Sequence, residues 1–170
     1  MEDVVGSERV NQENFTKTFL ALIPKFPRVS ACRLANVSVL REYDPGSTVI
    51  KEGKPSGGIL LLLAGTVDRW MSGSSATYNE WIKLPCISSP AVLGTASCML
   101  GEPSALNVSA ASIVMGIFVP QTHLLRVLRE SPEAGLAMSQ LLSEELAQTY
   151  AHLSKLRNGS LPKEQSVLLN

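Results

Sequence analysis

The residues best suited to contact a ligand lie together in residues 93–108. This segment combines Gly94 and Gly101 with the hydroxyl side chains of Thr95 and Ser104. Glycine permits tight turns with positive φ, and each hydroxyl is a short, neutral group that offers one hydrogen-bond donor. The segment contains no Lys or Arg. It can therefore form turns beside a polar ligand, but it offers that ligand no side-chain cation.

Histidine and cysteine show no pattern typical of an enzyme or a metal site. The chain has two histidines, His123 and His152, and both lie in its C-terminal part, whereas metal-binding jelly rolls hold their metal on ligands from the strands. Cys32, Cys86 and Cys98 are odd in number and lack Cys-x-x-Cys spacing, which argues against disulfides and structural zinc. We therefore expect no enzyme activity, no metal, no cofactor and three buried thiols.

Composition indicates one compact domain. The 170 residues are 45% hydrophobic, which suits a sizeable single core. The 15 basic residues balance 15 acidic ones, so no broad field attracts the chain to nucleic acid or to anionic membranes. Apolar runs such as residues 59–64 are far shorter than the roughly 20 residues that span a bilayer. These features predict a soluble, cytoplasmic protein that binds neither nucleic acid nor membrane.

Turn residues and apolar spacing divide the chain into helix, strands and helices. Phe15, Phe19 and Leu22 recur at helical spacing and predict an N-terminal helix over 13–22, which the following prolines close. From 37 to 119, short runs of Val, Ile and Leu alternate with Gly, Pro and Asp turns, which indicates an antiparallel sandwich or barrel. Within it, Trp70 and Trp81 flank a Gly/Ser turn and are expected to form a cross-strand pair.

The C-terminal part is predicted to be helical. Residues 121–130 and 132–156 read as two helices, and the Ser131-Pro132 pair suits the start of the second. We expect the domain to cover 1–157, with a jelly roll at about 37–119, C-terminal helices at about 121–156 and a flexible tail at 158–170.

Two sets of motifs resemble the cyclic-nucleotide-binding domain family. The family's phosphate-binding cassette is matched at Gly94, Gly101, Glu102, Pro103 and Val108. An upstream set of turns also matches in order and approximate spacing: Tyr43-Asp44-Pro45-Gly46, Val49-Ile50-Lys51-Glu52-Gly53, Leu60 to Leu63, and Gly65-Thr66-Val67. The resemblance implies a mainly β fold, a double-stranded β-helix (jelly-roll) barrel with an N-terminal helix and C-terminal hinge and long helices.

The resemblance also implies a pocket that has lost its two charged contacts. Where the family has a Glu that accepts from the ribose, this chain has Thr95, and where it has an Arg that pairs with the phosphate, this chain has Ser104. Backbone amides near Ala96 remain. The candidate ligand-binding residues are thus Gly94, Thr95, Ala96, Ser97, Ser104 and Ala105, and cAMP or cGMP is expected to bind weakly or not at all.

Three functions remain open at this point. The first is a regulatory sensor module that takes a cyclic nucleotide or another small anion weakly. The second is a dimerisation or interaction scaffold with an empty pocket, and the third, an enzyme, is the weakest. A fully functional cAMP- or cGMP-binding signalling protein is the alternative to weakened binding.

The last helix carries a dimer signal. Leu142, Leu146, Leu153 and Leu156, with Ser139 and Thr149 completing the series, follow a spacing of three and four residues, as in a heptad seam. This spacing predicts a homodimer through the C-terminal helix, as in the family of the catabolite activator protein. Those transcription factors add a helix-turn-helix domain, for which residues 158–170 are too few, so no DNA-binding domain is expected here.

Overall fold

The computed structural model describes residues 10–73 and 81–157. Its N-terminal part forms two helices. Helix α1 spans Gln12–Leu22, and the Asn11 side chain caps it by accepting from the amides of Glu13 and Asn14. Helix α2 spans Arg28–Ala35 and begins directly after Pro27. The first was expected and the second was not. Helix α2 has only eight residues, and three of the four that it buries are Ser or Ala, so it lacks a strong apolar period.

The strands described between residues 39 and 120 form two four-stranded antiparallel sheets, as the turn pattern predicted. Their orders are β1-β8-β3-β6 and β2-β7-β4-β5. The bounds are Val39–Tyr43 (β1), Thr48–Ile50 (β2), Gly58–Ala64 (β3), Thr66–Ser72 (β4), Trp81–Ser88 (β5), Ala91–Leu93 (β6), Asn107–Ala110 (β7) and Val114–Pro120 (β8). The architecture is consistent with a cyclic-nucleotide-binding jelly roll.

Gly65 allows the chain to pass from β3 to β4 in a single residue. Its φ is +94°, and a Cβ placed on it would lie 2.3 Å from the carbonyl oxygen of Ile113. Only glycine fits both the backbone angle and the close approach. The Gly65-Thr66-Val67 motif therefore has a direct steric cause.

Strand β3 is apolar on both faces because it separates two cores. Ile59 and Leu61 pack into the helical core, which lies between the helices and one face of the β1-β8-β3-β6 sheet. Leu60 and Leu62 point the other way into the roll core, which lies between the two sheets. Alternate side chains of a strand face opposite sides, so a strand with a core on each side needs an unbroken apolar run.

Three more helices complete the described chain. Helix α3 spans Thr95–Leu100, α4 spans Gln121–Glu130 and α5 spans Pro132–Arg157, in close agreement with the two predicted C-terminal helices. The expected tail at 158–170 lies outside the described residues. Within the described ranges, no helix is both long and apolar enough to cross a membrane.

Two smaller expectations are wrong. Trp70 lies opposite Lys83 and Trp81 opposite Ser72, so the register does not pair the tryptophans. The Lys83 ammonium instead lies 4.9 Å from the centre of the Trp70 ring. Cys98 is buried, but Cys32 is only partly buried and Cys86 is exposed, because β5 turns Cys86 toward the outside.

Candidate functional site

The cassette, defined here as residues 94–108, begins at a sharp corner between β6 and α3. Gly94 takes a φ of +81°, and Gly101 at the other end of α3 takes +73°. A Cβ on Gly94 would lie 3.0 Å from the carbonyl oxygen of Gly58, on the neighbouring strand β3. The two glycines therefore fix where α3 begins and ends, and they place Thr95 at its first position.

The rest of the cassette is tied to the loop that connects β2 to β3. The amide of Gly53 donates to the carbonyl of Ser104 at 2.8 Å, and the amide of Ser104 donates to the carbonyl of Lys54 at 2.9 Å. Ser97 Oγ donates to the carbonyl of Glu102 at 2.6 Å and accepts from the amide of Ser56 at 3.3 Å. These hydrogen bonds hold the turns that the sequence predicted for the cassette in place.

Glu52, from the Val49-Ile50-Lys51-Glu52-Gly53 motif, joins three segments. Its carboxylate accepts from the backbone amide of Ser72 at 3.1 Å and from the Ser72 hydroxyl. It also accepts from Asn107 Nδ2 at 3.3 Å, while its own amide donates to Asn107 Oδ1 at 3.0 Å. Glu52 therefore stabilises the loop against β4 and β7.

Ser104, which stands where the cassette Arg would be, uses its hydroxyl locally. Its Oγ donates to the carbonyl of Leu106 at 2.9 Å and accepts from the amide of Leu106 at 3.2 Å. A hydroxyl has one proton to donate, and here that proton is engaged within the cassette loop. Ala105 beside it is exposed.

Thr95, which stands where the cassette Glu would be, contacts the long C-terminal helix. The residue is 3% exposed, and its Oγ1 donates to Glu145 Oε1 on α5 at 2.9 Å. Burial raises the pKa of the Glu145 carboxyl, and this is partly opposed by the Thr95 hydrogen bond and by the positive charge of Arg69. Ala96 and Ser97 follow Thr95 in α3, and Ala96 is exposed.

Arg69 places a guanidinium on the inward side of β4. The cross-strand partner of Arg69 is Val108 of β7, and Val67, on the same side of β4, lies opposite Ala110. Val67, Val108 and Ala110 all belong to the roll core. Arg69 Nε donates to the carbonyl of Pro85 at 2.9 Å. Burial lowers the pKa of Arg69, and the nearby Cys86 and Glu145 oppose that shift. The group still carries its charge, since an arginine stays protonated in proteins.

Arg69 and Glu145 interact without touching. The ion pairs within 4.0 Å in the described ranges are Arg33–Glu130 and Lys83–Asp68, both elsewhere in the fold. Opposite charges therefore influence each other across a gap at the inner side of the cassette. This arrangement favours a polar or anionic group there, because each charge is half-buried and incompletely compensated.

The structure brings Thr95, which the sequence analysis selected, together with two residues that it missed, whereas the Ser104 side chain bonds to Leu106. Thr95 lies against Glu145, and Arg69 lies within electrostatic reach. Two signals could have revealed the missed pair. Arg69 occurs two residues after Val67, in the inward phase of an alternating strand, and Glu145 occurs seven residues after buried Met138, on the same face of α5.

The described part of the chain gives little indication of two further kinds of site, a metal site and a reactive cysteine. Within it, no cluster of three or more His, Cys, Asp or Glu side chains is placed to hold a metal ion. Burial raises the pKa of the Cys98 thiol to about 11. Cys98 is thus a neutral, packed thiol at physiological pH.

Neither a protein-family sequence profile nor a curated protein sequence matches this chain. Solved structures do. A cyclic nucleotide-binding domain from Methylobacillus flagellatus KT matches with a TM-score of 0.72 and 16% identity, over 95% of this chain and 90% of that one. The sensor domain of the transcriptional regulator DNR from Pseudomonas aeruginosa matches with a TM-score of 0.67 and 19% identity, over 82% and 93%.

The regulatory domain of Toxoplasma gondii PKA, crystallised with cAMP, also matches, with a TM-score of 0.68 and 14% identity. The match covers 81% of this chain and half, 50%, of that one. At these identities the likeness establishes the fold. The structural neighbours are cyclic-nucleotide-binding domains of regulatory and sensor proteins, and this chain has their fold, as its motifs predicted.

Proposed function

We propose that this chain is a non-enzymatic regulatory sensor module of the cytoplasm, with weak or lost binding of cAMP and cGMP. The neighbours that share its fold are regulatory and sensor domains. One observation carries the proposal on binding: Thr95 and Ser104 replace the two charged contacts, and both of their hydroxyl protons are already donated within the chain.

The size of the loss follows from the chemistry of the phosphate. A hydrogen bond to a charged group contributes about 1.5–3 kcal/mol, and removing it lowers affinity by roughly ten- to a hundredfold. Thr95 also offers a short neutral hydroxyl instead of a carboxylate acceptor for the ribose. Both changes lower the affinity for a cyclic nucleotide, so the pocket should bind cAMP and cGMP weakly.

Calorimetric titration with cAMP and cGMP tests this proposal directly. We expect no binding, or dissociation constants well above the micromolar range, for both nucleotides. A dissociation constant of micromolar or below for either nucleotide would contradict the proposal and favour a functional cyclic-nucleotide-binding protein.

A second function, pairing with another copy of this chain, is favoured by the outer face of α5. Leu146, Tyr150 and Leu153 are 52%, 61% and 52% exposed and follow one another at helical spacing. In a symmetric homodimer the same residues of two identical helices meet, and apolar residues repeated every three or four positions form such a seam. We therefore propose that this face of α5 forms a homodimer interface.

A further inference from the structure

Helix α5 contacts the cassette through a hydrogen bond between the side chains of Thr95 and Glu145. We propose that Glu145 is a tethered anion that occupies the cassette through Thr95, holds α5 closed upon it and must be displaced before an anionic ligand can bind. The contact is therefore autoinhibitory. The part that concerns an incoming ligand rests on the proposed sensor function, whereas the closure of α5 does not.

The first support is the burial of the Thr95 hydroxyl. Thr95 is 3% exposed, and a buried hydroxyl without a partner is costly. Its partner is the Glu145 carboxylate, 50 positions away in sequence, at 2.9 Å. The hydroxyl at the first position of α3 is thus satisfied by the C-terminal helix, at the place where the cassette would otherwise meet its ligand.

The second support is the charge on the inner side of β4. Arg69 is half-buried among apolar neighbours, and its positive charge acts on Glu145 across a gap wider than an ion pair. A guanidinium in this position favours an anion nearby. The chain itself provides that anion from α5, at a distance that compensates the charge only in part.

The third support is that the charge of Glu145 is only partly compensated, so that another anion can displace its carboxylate from Thr95. Burial raises the pKa of Glu145 despite both favourable partners, which means that its charged form is less stable there than in water. A second anion near Arg69 would repel the Glu145 carboxylate and compete with it for Thr95. Because Leu146 follows directly in α5, such a displacement would also move the exposed apolar face.

Hydrogen exchange tests the closure of α5. We expect backbone amides in residues 139–153 to exchange about tenfold faster in Glu145→Ala and in Thr95→Val than in wild type, with no further increase in the double variant. Glu144→Ala is the matched control, because Glu144 is the adjacent, exposed carboxylate of the same helix. Unchanged exchange in β3 and β8 shows that the fold is intact. Exchange in Glu145→Ala equal to that in Glu144→Ala overturns the proposal.

Calorimetric titration with inorganic phosphate, and separately with cAMP, tests the block. We expect Glu145→Ala to bind phosphate at least tenfold tighter than wild type and Glu144→Ala, and adding Arg69→Met to remove the gain. Equal binding by Glu145→Ala and Glu144→Ala, or a gain that survives Arg69→Met, overturns the proposal. Micromolar binding of cAMP by wild type is a different outcome: it contradicts the proposed function, whereas the comparison of Glu145→Ala with Glu144→Ala still decides the block.

Discussion

The helical core and the roll core share strand β3 but differ in what surrounds them. The helical core is built from apolar side chains such as Phe15, Phe19 and Leu124, all fully buried. The roll core is smaller, and the half-buried Arg69 and Glu145 lie beside it. The helical core contains well-packed apolar side chains. Beside the roll core, by contrast, two charged groups are partly desolvated, which costs free energy. The difference indicates that the first maintains the fold, and it is consistent with the proposal that the second acts on a ligand.

The largest expected effect comes from disrupting the first region. Phe19 is 0% exposed and its ring contacts both Phe15 and Phe26. We expect Phe19→Ala to lower the free energy of unfolding by about 3–5 kcal/mol, since it removes a large buried ring and leaves a cavity. Urea unfolding followed by circular dichroism measures it.

The matched change in the second region is Arg69→Met. It keeps a side chain of similar length and removes a partly desolvated charge, but it also leaves Glu145 without the opposite charge that acts on it, so we expect the free energy of unfolding to fall by about 1 kcal/mol, well short of the loss from Phe19→Ala. A loss from Arg69→Met as large as that from Phe19→Ala would show that the two regions do not differ as described.

The next effect concerns the outer face of α5, whose inner face packs on the helical core through Ala134, Ala137 and Met138. We expect Leu146→Glu or Leu153→Glu to weaken a homodimer by roughly a hundredfold or more, because a charge buried without a partner costs several kcal/mol. Sedimentation velocity at tens of micromolar measures the oligomeric state. Gln148→Glu, on the opposite side of the helix, is the control. A monomeric wild type under the same conditions would contradict the dimer.

A smaller effect is expected from restoring charge to the cassette. Ser104→Arg should strengthen cAMP binding by about tenfold, and Ser104→Lys should do so less, because only a guanidinium makes two parallel hydrogen bonds to a phosphate. Thr95→Glu should help further only together with Glu145→Gln, since otherwise two carboxylates would face each other. Calorimetry compares these variants. Unchanged affinity in a folded triple variant would show that another obstacle closes the pocket.

Much of the fold could be predicted because its signals are local. Glycines at 65, 94 and 101 take positive φ, so their positions in the sequence mark turns directly. The apolar spacing of α1, α4 and α5 likewise lies within single helices. Helix α2 was missed because its buried residues are small and few, and it depends on packing against other elements rather than on its own pattern.

The candidate site could be predicted only in outline. The motifs located the cassette, because its shape is set by backbone turns. They could not reveal Arg69 or Glu145, because these residues reach the cassette from β4 and α5 and meet it only after the sheets and the long helix have packed. Thr95 and Glu145 are 50 positions apart, a separation that no short pattern covers. The expected pairing of the two tryptophans was also wrong, because Ser72 rather than Trp70 lies opposite Trp81 in the register of β4 and β5.

The smallest expected effect is a pH dependence that separates the two regions further. The folded-state pKa of Glu145 is raised by burial above its usual value. A group with a raised pKa stabilises the fold most below its unfolded-state pKa, and that contribution is lost as the pH rises through the folded-state pKa. Wild type should therefore gain stability relative to Glu145→Gln as the pH is lowered from 7 toward 5.

Glu145→Gln suits this measurement because its amide oxygen can still accept the Thr95 hydrogen bond. The groups that face Glu145 are Thr95 from α3 and Arg69 from β4, and neither changes its charge in this range. The free energies of unfolding of wild type, Glu145→Gln and Glu144→Gln are compared in urea at pH 7 and pH 5. Glu144→Gln, at an exposed carboxylate, should show the smaller pH-dependent difference. If wild type instead loses stability relative to Glu145→Gln on acidification, the carboxylate is well paired at neutral pH, and the contrast between the two cores disappears at this residue.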